Sequence, residues 1–144
     1  MFGFHFRETM AGTFTTPEDA SEREIRFTIT ARARSMFKHL RDRKAEIAGE
    51  LDMDGFATRA PISGELLIDP LVGRVIRYAF EFTGDDRKHY RFIGQKDVTI
   101  ADPVGSMTTL PGTVLDGGGR TVATALLKFD TRDLPSFLGS FRPW

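Results

Sequence analysis

The chain has 144 residues, balances 20 basic against 20 acidic side chains, and contains no cysteine. That length is one ordinary domain, able to bury roughly 70% of the surface its unfolded form exposes, so neither disulfide nor metal is needed for folding. The charge balance provides no long-range field to recruit nucleic acid or an anionic membrane, and the lack of cysteine excludes disulfide frameworks, thiolate catalysis and thiolate metal sites.

Thirteen Phe against two Tyr and one Trp favour an oily core or an apolar pocket, because Phe has no polar atom to satisfy when buried. No basic N-terminal region is followed by a long apolar run, and no segment approaches about 18 consecutive apolar residues. A soluble, cytoplasmic protein without a membrane span is the expectation.

Phe2, Phe4 and Phe6 alternate with Gly3, His5 and Arg7, which predicts a short first strand with its aromatic side against the core. Residues 11–23 are small and polar, include Pro17, and read as a loop. Strict alternation then runs over 24–33, with Ile25, Phe27, Ile29, Ala31 and Ala33 on one face and charged or hydroxylated residues on the other. The period changes over 35–44, where Met36, Phe37 and Leu40 fall at helical spacing behind Ser35 as N-cap, predicting a short helix.

Extended structure resumes over Glu46–Met53 and stops at Asp54-Gly55. A further strand is predicted over Gly64–Ile68. The best hairpin joins Gly73–Phe82, with Ile76, Tyr78, Phe80 and Phe82 in one row, to His89–Val98, where Tyr90 and Phe92 continue the alternation. Strands near Met107–Leu115 and Arg120–Phe129 flank the turn Gly117-Gly118-Gly119, and residues 132–139 suggest a last helical turn. Gly64–Asp69 with Gly73–Val75 resembles Gly112–Asp116 with Gly119–Val122, and Ile47–Gly49 resembles Phe92–Gly94, as an internal duplication of two β-layers around one core would produce. The expected fold is all-β: an antiparallel sandwich or barrel of about eight strands with one or two short helices.

Catalytic motifs do not emerge. His5, His39 and His89 lack metal-ligand spacing, and Asp85-Asp86 with His89 reads as a solvated turn rather than a cation site. There is no G-x-S-x-G elbow or G-x-G-x-x-G, and the triple glycine lacks the helix and Lys-Ser/Thr of a phosphate cradle. The basic residues Arg32, Arg34, Lys38, Arg41, Arg43 and Lys44 are followed at once by Glu46, Glu50, Asp52 and Asp54, the pattern of an ordinary charged surface. Two charges are more telling. Glu8 lies between Phe6 and Met10, and Lys96 follows Tyr90, Phe92 and Gly94 on the same parity. Both are predicted to point to the apolar side, where a charge must be paired or belong to a site.

The series Phe6-x-Glu8-x-Met10-x-Gly12, the glycine-bearing strands through Gly49 and Gly64, Tyr78-x-Phe80-x-Phe82, Tyr90-x-Phe92-x-Gly94-x-Lys96 and Thr108-Thr109-Leu110 resemble a β-rich domain of unassigned function. That domain accompanies cholesterol-oxidase-like members of the glucose-methanol-choline flavin oxidoreductases. The resemblance implies an accessory or binding module, with flavin and chemistry in the other domain, and it transfers no catalytic residue.

The expected function is therefore non-catalytic binding of a small apolar, lipid-like ligand or a flavin oxidoreductase partner. No cofactor is expected, and Glu8, Lys96, Tyr78, Phe80, Phe82, Tyr90 and Phe92 are the candidate binding residues. A small hydrolase or isomerase using Glu8, Lys96 or a histidine in a barrel mouth, and a self-associating structural domain such as a homodimer, are the alternatives.

Overall fold

The computed structural model describes residues 4–33, 44–69, 75–97, 101, 108–129 and 142–143. Among the described residues there are nine strands: β1 (Phe4–Thr16), β2 (Asp19–Ala33), β3 (Lys44–Met53), β4 (Ala57–Asp69), β5 (Val75–Thr83), β6 (His89–Asp97), β7 (Thr109–Asp116), β8 (Thr121–Phe129) and the short β9 (Arg142–Pro143), with buried and exposed residues alternating along β3, β5 and β6. Strands β1 to β8 pair antiparallel in chain order, and β8 pairs back onto β1, so the sheet closes into an eight-stranded up-and-down barrel. Strand β9 adds to β1 at Phe4 and His5.

The register fixes the stagger. Traced from His5 through Arg32, Glu46, Glu65, Ala79, Ile93, Thr113 and Thr124, the paired residues return to β1 at Thr15, ten positions further on. Eight strands with that stagger must tilt strongly, and enclose an interior just wide enough to be filled by side chains or to hold one small ligand.

Glycines permit the closure. A Cβ on Gly12 would strike the backbone carbonyl of Leu126, and one on Gly64 that of Ala79; both positions face inward where neighbouring strands approach closely.

Several sequence expectations change. A sandwich is excluded by closure, and so are two facing β-layers. Of the segments matched in the expected duplication, Ile47–Gly49 and Phe92–Gly94 lie on β3 and β6, and Gly64 and Gly112 on β4 and β7, three strands apart and running in opposite directions; a Cβ would meet a neighbouring backbone carbonyl at Gly49 and Gly64 but the Phe92 ring at Gly94 and Gly112. The loop expected over 11–23 is strand except at Pro17 and Glu18, because Met10, Gly12 and Phe14 hold the inward parity and the opposite strand supplies an unbroken ladder from Ala11 to Phe14.

Strand β4 starts at Ala57 rather than Gly64. Pro61 lies before the β5 ladder begins at Ser63, where β4 is paired with β3 alone and a missing N–H is tolerated. The helices expected over 35–44 and 132–139 lie outside the described residues, apart from Lys44, which opens β3. Among the described residues no helix is long and apolar enough to cross a membrane.

Candidate functional site

The barrel ends differ. At the turn end lie the short connections after β1, β3, β5 and β7; at the far end lie Phe4, Ala33, Lys44, Asp69, Val75, Asp97, Thr109 and Phe129, the opposite strand termini.

Toward the turn end the interior is aromatic. Phe80 and Phe92, paired across β5 and β6, stack with centroids 4.8 Å apart. Phe27 of β2 meets both edge-on, at 5.3 and 5.7 Å. Phe82 stacks on Tyr90 at 5.4 Å, and Phe56 from the β3–β4 turn packs edge-on against Phe14 and Tyr90 at 5.6 and 5.9 Å. The Arg23 guanidinium lies 4.9 Å over the Phe14 ring and 5.8 Å from Phe56, covering this plug.

The turns themselves are pinned by carboxylates. Asp85 accepts from the Thr58 backbone N–H and hydroxyl, at 3.2 and 3.0 Å. Asp86 accepts from the Lys88 N–H at 3.0 Å and the Tyr90 hydroxyl at 2.6 Å. That last bond pushes the Tyr90 phenol up to about 12, and the same two bonds hold the Asp86 carboxyl below its ordinary value. These two acids act as structural acceptors. His89 is exposed, with Nδ1 3.4 Å from the Thr83 hydroxyl, and among the described residues no group of three or more His, Asp or Glu is placed to hold a metal. His5 lies on β1 opposite Arg32; His39 and the basic residues from Arg34 to Arg43 lie outside the described residues.

Toward the far end the interior becomes polar at one level. Tyr78 and Lys96 are diagonal neighbours on the inner face of β5 and β6, since Tyr78 pairs with Gly94 and Ile76 with Lys96. Glu8 comes from β1, four strands away in an eight-strand circuit and therefore on the opposite wall. The three side chains meet across the interior. The Tyr78 hydroxyl donates to Glu8 Oε1 at 2.5 Å, and Lys96 Nζ donates to the Tyr78 hydroxyl at 2.9 Å and to Glu8 Oε2 at 3.4 Å.

Exposure of only 7% at Glu8, 3% at Lys96 and 2% at Tyr78 puts this network inside the apolar core. Burial first, and the neighbouring Glu8 charge second, raise the Tyr78 phenol well above its ordinary value, so it stays a neutral donor. Beyond this level toward the far end, described inward side chains are Phe6, Ala31, Ala45 and Ile76, two of them no larger than a methyl.

Bond counting sets what the network can do. Tyr78 both donates and accepts. An ammonium has three donors, and Lys96 uses two, one of them long; a carboxylate has about four acceptor sites, and Glu8 uses two. A buried cation and anion with unused capacity suit a further polar atom brought into the interior.

All seven candidate residues, Glu8, Lys96, Tyr78, Phe80, Phe82, Tyr90 and Phe92, face the interior. The structure joins three of them in a hydrogen-bonded network and places the other four in the aromatic half. Phe27 lies on the inward row that the alternation over 24–33 predicts, Phe14 falls in the stretch that reads as loop, and Phe56, in a turn, gives no periodic signal. Outside the barrel, an open depression of about 810 Å³ is lined by Thr30, Arg32, Glu46, Ala48, Ser63 and Glu65 on the outer face of β2 to β4.

The chain matches no family model and no curated protein sequence. Among solved structures it is similar to a redesigned beta barrel, at 13% identity and a TM-score of 0.47, over 84% of this chain and 88% of that one.

Proposed function

We propose that the protein is a small-molecule-binding barrel, whose interior takes a largely apolar ligand and meets its one neutral polar group at Lys96. The observation that supports this most is the Glu8–Tyr78–Lys96 network. A buried ion pair is a poor way to stabilise a core, because desolvating both charges offsets most of their attraction. With Phe6, Ala31, Ala45 and Ile76 as its described inward neighbours toward the far end, it is well suited to orient a ligand that apolar side chains alone would bind without direction.

The network is neutral as a unit, so a hydroxyl or carbonyl oxygen can accept the remaining Lys96 proton without unbalancing it, whereas a carboxylate adds a buried negative charge. Association with a flavin oxidoreductase, implied by the sequence resemblance, belongs to the same proposal: the carried molecule is then that enzyme's lipid-like substrate.

Native mass spectrometry with decanol and decanoate tests this reading. The expected result is a one-to-one decanol complex, a weaker decanoate complex, and loss of the decanol complex in Lys96→Met. Absence of any complex, or equal retention of decanol by Lys96→Met, would overturn it.

A further inference from the structure

Lys96 is the one buried lysine among the described residues; Lys44, Lys88 and Lys128 are exposed. Its amine is held between a carboxylate that can take a proton and a phenol that orients it, in surroundings that limit water. Building on the interior-binding reading, we infer that this amine captures the carbonyl carbon of an apolar aldehyde or ketone as an imine, which makes the barrel a reversible covalent carrier.

The step closes on the residues present. A proton moves from Lys96 Nζ to the Glu8 carboxylate, and the freed amine adds to the carbonyl carbon, forming the C–N bond while the carbonyl oxygen becomes a hydroxyl. Proton return from Glu8 lets that hydroxyl leave as one molecule of water. The product is a protonated imine on Lys96 with Glu8 again a carboxylate beside it. The sum is one ammonium and one carbonyl giving one iminium and one water, with no oxidant or reductant.

Charge favours this outcome within the core: the iminium keeps the single positive charge that Glu8 already balances, so the buried pair survives the reaction. Tyr78, a neutral donor throughout, keeps its bond to Glu8 and steadies the nitrogen.

Trapping with decanal and sodium borohydride, followed by intact mass and peptide mapping, is the test. One reduced decyl group per chain is expected on Lys96, with exposed lysines at the level seen in unfolded protein or below. Glu8→Gln keeps the amine but removes its proton acceptor, and trapping is expected to slow about a hundredfold, the usual scale of a lost acid–base group. Label spread over Lys44, Lys88 and Lys128 with none on Lys96, while decanol still binds, overturns the imine and leaves the binding reading standing. Loss of decanol binding as well overturns both. An unchanged trapping rate in Glu8→Gln contradicts the assigned role of Glu8.

Discussion

The two halves of the barrel interior use the same strands in opposite ways. Toward the turn end, Phe14, Phe27, Phe56, Phe80, Phe82, Tyr90 and Phe92 fill the space with rings at 4.8–5.9 Å, each favourable contact contributing about 0.5–1.5 kcal/mol beyond its burial. Toward the far end, the described inward positions hold Phe6, Ala31, Ala45 and Ile76 beside a carboxylate–phenol–ammonium network that spans the interior. One half is built for packing density. The other places charge where packing alone calls for leucine, and the difference separates what holds the fold from what the fold presents.

Substitutions can break that contrast. In the aromatic half, Phe27→Ala removes a ring that touches Tyr78, Phe80 and Phe92 and is expected to cost about 3–5 kcal/mol in urea unfolding, while the order of decanol over decanoate stays the same. In the polar half, Lys96→Met strands the Glu8 charge and is expected to cost about 3 kcal/mol or more. Combining it with Glu8→Gln should recover roughly 1–3 kcal/mol relative to the sum of the single changes, since the two act on one pair. A strictly additive result would mean that the ion pair at 3.4 Å does not couple them.

Titration gives smaller effects. Both interior tyrosines have phenols raised above the ordinary value of 10.0, Tyr78 well above it by burial and Tyr90 to about 12. Above that ordinary value the unfolded chain releases protons that the folded chain retains, so stability falls as pH rises from about 10. In Tyr78→Phe the decline should be shallower at the alkaline end, measured by urea midpoints across the range. Asp86→Asn removes the charge that holds the Tyr90 proton, and tyrosinate absorbance should then appear nearer its ordinary value. If Tyr90 still titrates at about 12, burial and not Asp86 sets it.

Much of the fold was readable because a strand's two-residue period records which face is buried. Ile25 to Ala31 and Ile76 to Phe82 declare their inward rows, and the same parity put Glu8 and Lys96 inside. Pairing at long range leaves no such record. Nothing local says that β1 lies opposite β5, so the Tyr78–Glu8 bond, joining residues 70 positions apart, becomes visible only once the sheet closes. The stretch from Ala11 to Arg23 misled for a related reason: threonines and a glycine read as loop on their own, yet they form strand when a partner ladder and an inward Phe14 fix them.

The most direct test of the division between the halves is the triple substitution Glu8→Leu, Tyr78→Phe, Lys96→Met, which replaces the whole network with apolar side chains of similar size. Urea unfolding and decanol binding are measured on the same preparation. A midpoint at or above that of the unsubstituted protein, with decanol no longer retained, is the predicted result, since swapping a complete buried ion pair for apolar residues is commonly neutral or stabilising by about 1–4 kcal/mol. A variant that unfolds at markedly lower urea would make the network part of what holds the barrel together, and one that keeps decanol would remove Lys96 from the site; either contradicts the account.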